Sequence, residues 1–298
     1  MESNTNIIIE NESYLFVKEY KDQMTYRKSL NRLAAAIYGF DFEEWYQQGF
    51  WGDRYRPYSL VHNDVVVANI SVNQMEFQSK DKLYHALQIG TVMTDINYRS
   101  RGLSKALMNI VLEEYEKECE LIYLYANDTV LDFYPRFGFL QGEEVVHSGN
   151  TAAAAKKYDF VPLDLKAAMN KELLCRLVKK AIPCSGYAMR DNPGLMMFYL
   201  NSFLAENVYY CEELKLAAVA EQEGDVLKLI DIFCEREFDL RGVINSLAAE
   251  PGMRVTLGFT PLDTAGFECT ALRDSGTTFF YKGNNFLKQG RFPELSHA

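Results

Sequence analysis

Apolar residues recur at helical spacing over 26–51, where Leu30, Leu33, Ala34, Ile37 and Tyr38 fall at i, i+3, i+4, i+7 and i+8 and predict the buried face of a helix. The second part of that stretch merges into a dense aromatic segment. Trp45, Tyr46, Phe50, Trp51, Tyr55 and Tyr58 are interleaved there with Glu43, Glu44 and Asp53. Residues 64–72, 73–78 and 86–94 then read as strands, the first rich in Val and Ile as a buried strand should be. From Leu103 the period returns to helical, with Ala106, Leu107, Ile110, Val111 and Tyr115 on the same face. Residues 121–126 predict a short apolar strand, after which Asn127 and Asp128 cap a short helix that Pro135 and Gly138 stop. One more strand is predicted over 139–146.

A composition break follows at 148–157, around Gly149 and the alanine run 152–155. Beyond it the pattern predicts a helix over 165–181 and a second opened by Asn192-Pro193-Gly194. Strands are predicted at 207–211, 216–221 and 226–233, the last two joined through the hairpin-type turn Glu223-Gly224-Asp225. Asp239 caps a helix with Leu240, Val243, Ile244 and Leu247 on one face, ended by Pro251-Gly252, and strands at 254–259 and 277–282 complete the chain. Both halves run helices, antiparallel strands, a strand feeding a helix, then more strands. The expected fold is therefore mixed α/β, a mostly antiparallel sheet flanked by helices, in two diverged copies spanning 1–150 and 160–298.

Composition narrows the function classes. Lys and Arg number 31 against 41 Asp and Glu, a net charge of −10 over 298 residues. Bulk charge thus argues against nucleic acid and anionic membranes as partners. No apolar run reaches the roughly 18 residues that span a bilayer, and the polar start of the chain does not read as a signal peptide. The six cysteines are scattered without a CxxC pair, and the four histidines lack ligand spacing, so neither a metal nor a disulfide framework is expected. A cytoplasmic location is the simplest expectation; a homo-oligomer is left open.

The candidate chemistry sits at one strand-to-helix junction. After Val92, Met93 and Thr94 comes Arg99-Ser100-Arg101-Gly102-Leu103-Ser104, running straight into the amphipathic helix. Backbone N–H groups in the first turn of a helix lack intrahelical acceptors and carry the positive end of its dipole, which makes an anion cradle. The spacing Arg99-x-x-Gly102-x-Ser104 resembles the coenzyme A pyrophosphate loop of the GNAT acetyltransferase superfamily. Asn127, followed by Phe133-Tyr134-Pro135-Arg136-Phe137-Gly138-Phe139, is similar to that superfamily's next motif, in the right order and on the right elements. The resemblance covers about the first half of the chain, with Ser104 in place of the usual Gly or Ala.

The resemblance implies an acetyl-CoA-dependent N-acetyltransferase whose acceptor is a primary amine of a small molecule or peptide. The strand ending at Val92, Met93 and Thr94 would splay from its neighbour and pair with the pantetheine arm in the manner of an added strand. Arg99, Arg101, Gly102, Leu103 and Ser104 would hold the pyrophosphate. Asn127 would bond the arm, Phe133 would pack on it, and Tyr134 would protonate the departing thiolate. The aromatic and acidic segment lies where the superfamily places its acceptor helices, although sheet cover is its simpler reading. The matching junction of the second half, Phe233-Cys234-Glu235-Arg236-Glu237-Phe238-Asp239-Leu240, has no glycine and three carboxylates. A degenerate second copy that binds no coenzyme A is expected there. Gln88 stands where many relatives place a glutamate base, which leaves ordered water, a distant carboxylate or the C-terminal carboxylate of Ala298 to take the amine's proton. A non-catalytic acyl-CoA-binding module is the rival expectation.

Overall fold

The computed structural model of the chain describes residues 3–152, 156–272, 276–287 and 290–297. Its first half comprises β1 (Thr5–Ile9), β2 (Glu12–Lys18), α1 (Met24–Tyr38), α2 (Glu43–Gln47), β3 (Tyr55–His62), β4 (Val65–Ser79), β5 (Lys82–Thr94), α3 (Leu103–Tyr115), β6 (Leu121–Asn127), β7 (Leu140–Gln141) and β8 (Val145–Asn150). The second comprises β9 (Val161–Pro162), α4 (Ala168–Lys180), β10 (Ala188–Met189), α5 (Pro193–Leu200), β11 (Val208–Cys211), β12 (Leu216–Glu223), β13 (Val226–Cys234), α6 (Leu240–Leu247), β14 (Arg254–Leu257), β15 (Glu268–Ala271) and β16 (Thr277–Gly283).

The mixed α/β fold expected from the periodicity is present, with several local differences. The helix predicted over 26–51 is two helices, because Gly39 ends α1 in a left-handed C-cap. The two strands predicted over 64–78 are one 15-residue strand, β4, whose polar Asn73 pairs opposite Gln88 instead of turning the chain. The hairpin β1–β2 and the strand β3 have no counterpart in the periodicity. The aromatic segment around β3 proves to be core: Phe42, Trp45, Trp51 and Tyr55 are buried with Leu30, Leu33 and Ala34 of α1.

Among the described residues the strands form two sheets. The first runs β1-β2-β3-β4-β5-β6-β16-β7, with β10 paired to β4; the second runs β15-β8-β14-β13-β12-β11-β9. In both, an antiparallel pair (β4–β5, β12–β13) feeds a helix (α3, α6) that returns to a strand parallel to its predecessor (β6 beside β5, β14 beside β13). Each antiparallel pair also carries a register shift, between Asn69 and Ser71 near the end of β5 and between Val219 and Ala220 at the middle of β13. The duplication is therefore visible in topology, register and bulge.

Each sheet is completed by a strand from the other half. Beside β6 lies β16, from Asn127↔Thr277 to Leu121↔Gly283, and beside β14 lies β8, from Arg254↔Asn150 to Leu257↔His147. The partition 1–150 and 160–298 is accordingly crossed twice. Val145–Asn150 belongs to the second sheet and Thr277–Gly283 to the first. The halves also share a core. One face of the first sheet is covered by α3, through Leu103, Leu107, Met108 and Val111. The other packs Met75, Phe77 and Tyr123 against Leu195, Met196 and Leu200 of α5. The closing segment threads this interface: Phe292 is fully buried between Phe77 and Tyr123, at ring separations of 4.4 and 4.7 Å, and the Tyr123 hydroxyl donates to the Ser296 carbonyl at 3.0 Å.

Candidate active site

The parallel pairing of β5 with β6 stops at Ile89↔Leu124, although β5 continues to Thr94 and β6 to Asn127. The separation begins at Thr91, which sits at φ +43° inside the register shift against β4. Buried Asn69 holds this bulge by donating through Nδ2 to the Thr91 carbonyl at 2.9 Å, and Tyr55 Oη pairs with Thr91 Oγ1 at 2.8 Å. Bulges kink a strand and re-aim it. Here the kink opens a cleft of about 830 Å³ lined by Gly90 to Thr94 on one side and by Tyr125, Asn127, Phe133 and Tyr134 on the other.

A second cavity, of about 640 Å³, lies at the start of α3 and is lined by Arg99, Ser100, Gly102, Leu103, Ser104, Lys105 and Arg136. Gly102 is the N-cap of α3 at φ +73°. No side chain caps the first turn and no acidic residue stands in it, so the orphan N–H groups are left to an outside anion. Arg99 and Ser104 line both cavities, and Ser104 Oγ lies 2.7 Å from Thr94 Oγ1, tying cradle to cleft.

The second half shows the opposite at the matching place. Asp239 caps α6, its carboxylate accepting from Gly242 N at 3.0 Å and pairing with Lys157 at 3.0 Å. The Gly242 N–H and the Lys157 ammonium hold Asp239 below the usual carboxylate range. The β13–β14 pairing also stops, at Leu229↔Leu257, but the opening beyond it is filled by the chain after α4, whose Ile182 N donates to the Cys234 carbonyl and Gly186 N to the Thr260 carbonyl, both at 2.8 Å. A helix terminus already occupied by a carboxylate, beside a filled opening, does not suit a pyrophosphate.

The predicted site residues gather at the first junction with individual differences. Tyr134 is buried in the cleft wall, where burial pushes its hydroxyl well above the ordinary tyrosine value and keeps it protonated at neutral pH. Asn127 accepts from Thr129 N at 3.1 Å, capping the following short 3-10 turn as the sequence predicts. Phe133 lines the cleft and packs on Tyr134 and Phe137. Leu103 and Met93 turn their side chains into core clusters and offer the junction only main chain. Arg101 departs further. Its guanidinium bonds Glu12 at 2.9 Å and the Asn97 carbonyl at 2.9 Å, so its charge is spent on the β1–β2 turn and not on the cradle. Lys105 and Arg136, which the spacing did not single out, line the cradle in its place.

On the acceptor side, the acidic residues of the aromatic segment are engaged elsewhere. Glu43 pairs with Arg27 and accepts from Asn31 and Gln47, while Asp53 pairs with Lys21 at 2.6 Å. Gln88 is buried and faces β4 and β6 opposite Asn73 and Tyr123. Ala298 lies outside the described residues; His297 before it stacks on Tyr125 at 3.6 Å. Tyr38 was not foreseen. Its hydroxyl donates to the Val92 carbonyl at 3.3 Å across the cleft. Among the described residues no cluster of His, Cys, Asp and Glu could hold a metal ion.

The acetyltransferase (GNAT) domain family matches residues 5–142, which contain the bulged strand, the cradle and the Asn127 to Tyr134 segment. The first half is thus similar to a GNAT domain. Solved structures extend the likeness of fold across the chain. A conserved protein of Enterococcus faecalis shares 14% identity at a TM-score of 0.59, over 91% of this chain and 72% of its own. A GCN5-related N-acetyltransferase from Kribbella flavida shares 18% at 0.55, over 90% and 71%. Eis1 from Mycobacterium abscessus shares 13% at 0.58, over 89% and 73%. No curated protein matches the sequence. The topology repeated around β12, β13, α6 and β14 makes the second half a structural repeat of the first, with its helix terminus capped from within. No described helix is long and apolar enough to cross a membrane.

Proposed function

We propose that the chain is an N-acetyltransferase that moves an acetyl group from acetyl-CoA to a primary amine by direct attack in a ternary complex. The observation that carries this reading is the continuous path from the uncapped start of α3, through the opening between β5 and β6, to Tyr134. Acetyl-CoA supplies a thioester, whose C–S bond breaks as the amine nitrogen forms the new C–N bond.

This chain's residues would divide the work as follows. The N–H groups of Leu103 and Ser104, with Arg99, Lys105 and Arg136, would hold the phosphates. The edge of β5 at Val92 and Thr94, unpaired on the β6 side, would bond the pantetheine amides. Tyr38 would release the Val92 carbonyl when they arrive. Asn127, with Oδ1 committed to Thr129, would donate through Nδ2. A main-chain N–H at Val92 or Met93 would stabilise developing negative charge on the carbonyl oxygen. Tyr134 would give its proton to the sulfur as the bond breaks. The amine must attack as the neutral base, and the proton its nitrogen loses as the amide forms would pass through solvent, balancing the one that Tyr134 gives to sulfur and regains. A cytoplasmic location belongs to the same reading.

The absence of carboxylates from the described cleft lining favours a second reading, a non-catalytic acyl-CoA-binding module. Tyr134→Phe separates them, because it removes a hydroxyl and keeps the ring. The transferase reading expects thiol release with an amine panel, a kcat about two orders of magnitude lower in the variant, within the range of general-acid contributions, and an unchanged acetyl-CoA affinity. Equal turnover in variant and parent would remove Tyr134 as the acid. Acetyl-CoA binding with no thiol release by the parent would leave the module.

A further inference from the structure

The cleft continues through the sheet to the face opposite α3, and its wall there is built by both halves. Tyr38 and Phe40 come from the end of α1, Tyr125 from β6, and Phe198, Tyr199 and Phe203 from α5 and the turns after it. The rings are mutually braced. Phe40 lies 5.8 Å from Tyr38 in a stacked pair, 5.7 Å from Phe198 and 5.6 Å from Phe203 in edge contacts. Tyr38 and Phe203 are nonetheless 43% and 54% exposed, an unusual state for rings at the mouth of a cleft. Among the described residues lining this cleft, the one charged side chain is Arg99, at the phosphate end.

We propose that the acceptor is a monoamine carrying a flat apolar group, an arylalkylamine in chemical class, and that α5 and its following turns exist in part to shape its pocket. The inference rests on the transferase reading and names its substrate. Three physical arguments carry it. Braced rings offer faces and edges that a flat ring meets in stacked or edge-on geometry. No carboxylate in the described wall would compensate the second and third ammonium groups of a polycation, whose desolvation there would go unbalanced. The same aromatic wall disfavours the protonated amine, so burial against it helps to present the neutral nucleophile where no carboxylate lines the cleft.

The test uses the full chain with acetyl-CoA and compares phenethylamine with spermidine by thiol release. Phenethylamine is expected to have the higher kcat/KM by at least about tenfold, the discrimination typical of one hydrophobic group in a fitted pocket. Phe203 is exposed, so Phe203→Asp should fold, which its thermal midpoint would verify. That variant should raise the KM for phenethylamine by about tenfold, shift the preference toward spermidine and leave acetyl-CoA affinity unchanged. A parent that prefers spermidine, or a Phe203→Asp variant with an unmoved amine ratio, overturns the inference alone. Turnover of neither amine overturns the inference as well, whereas a chain that binds acetyl-CoA and releases no thiol across a wider amine panel overturns the transferase reading beneath it.

Discussion

Gly102 owes its place to backbone conformation more than to room. At φ +73° it adopts the left-handed conformation in which other residues are strained, while a Cβ there would meet only Ile9 Cγ2, at 3.8 Å. Gly102→Ala should therefore cost about 1–2 kcal/mol of stability. Gly102→Glu adds a carboxylate that competes with phosphate for the first turn of α3, and should weaken acetyl-CoA binding by more than tenfold in calorimetry. Glu235→Gln, beside the capped helix of the second half, should leave the affinity unmoved. Equal losses at the two positions would contradict the assignment of the cradle. The places of Gly102, Asn127 and Tyr134 were legible in the sequence because each is set by local spacing at a helix or turn start. Arg101 was misread because its partner, Glu12, lies at the start of β2, in a hairpin the periodicity did not show. Phe198 and Phe203 were invisible for a different reason: α5 reads Pro-Gly-Leu-Met-Met-Phe-Tyr-Leu, apolar on every side, so no face of it points to a cleft.

At the scale of elements, the exchange of β8 and β16 decides how the chain can be cut. A chain ending at Asn150 would leave β6 with an open edge where β16 pairs, and would strand β8 without β14. It would also expose the face of the first sheet that α5 and Phe292 cover. Such a fragment should not give a cooperative thermal transition and should not bind acetyl-CoA, whereas a fragment that melts cooperatively would show the first half to be autonomous. Within the full chain, Phe292→Ala should destabilise by about 3–5 kcal/mol, the usual cost of emptying a filled aromatic site, read as a lower denaturant midpoint. Periodicity placed half of the described strands within a few residues, with the hairpin through Gly224 and the helix capped by Asp239, and showed none of β1, β2, β3, β9, β10 and β15. It could not assign their partners. The pattern along 277–282 says only that a strand forms, and a two-residue alternation carries no record of which distant edge will receive it.

For the whole molecule, two groups set opposing responses to pH. Asp231 is buried on β13, and burial raises its carboxyl to about 7. The folded state thus holds a proton that the unfolded chain has released above its ordinary value near 3.8, so stability falls as pH rises toward 7. His297, half-buried with its ring stacked on Tyr125 and near Arg291 and Lys228, is lowered to about 3. The unfolded chain binds the extra proton there, so stability falls as pH drops below about 6.5. The two slopes offset between pH 4 and 6.5, and the loss from Asp231 stands alone from pH 6.5 to 7. Asp231→Asn should remove that loss, giving a thermal midpoint that gains more at pH 7.5 than at pH 5; a gain equal at both would show that Asp231 does not titrate with folding.

The central claim is that two GNAT-like halves, interlocked by exchanged strands, build one acyl-CoA site at the open junction of β5, α3 and β6. Calorimetric titration of the full chain with acetyl-CoA tests it most directly, repeated on Gly102→Glu and Asp239→Asn. The account predicts one acetyl-CoA per chain, lost in Gly102→Glu and retained at the same stoichiometry in Asp239→Asn. Two molecules per chain, or a single site that survives Gly102→Glu, would contradict it.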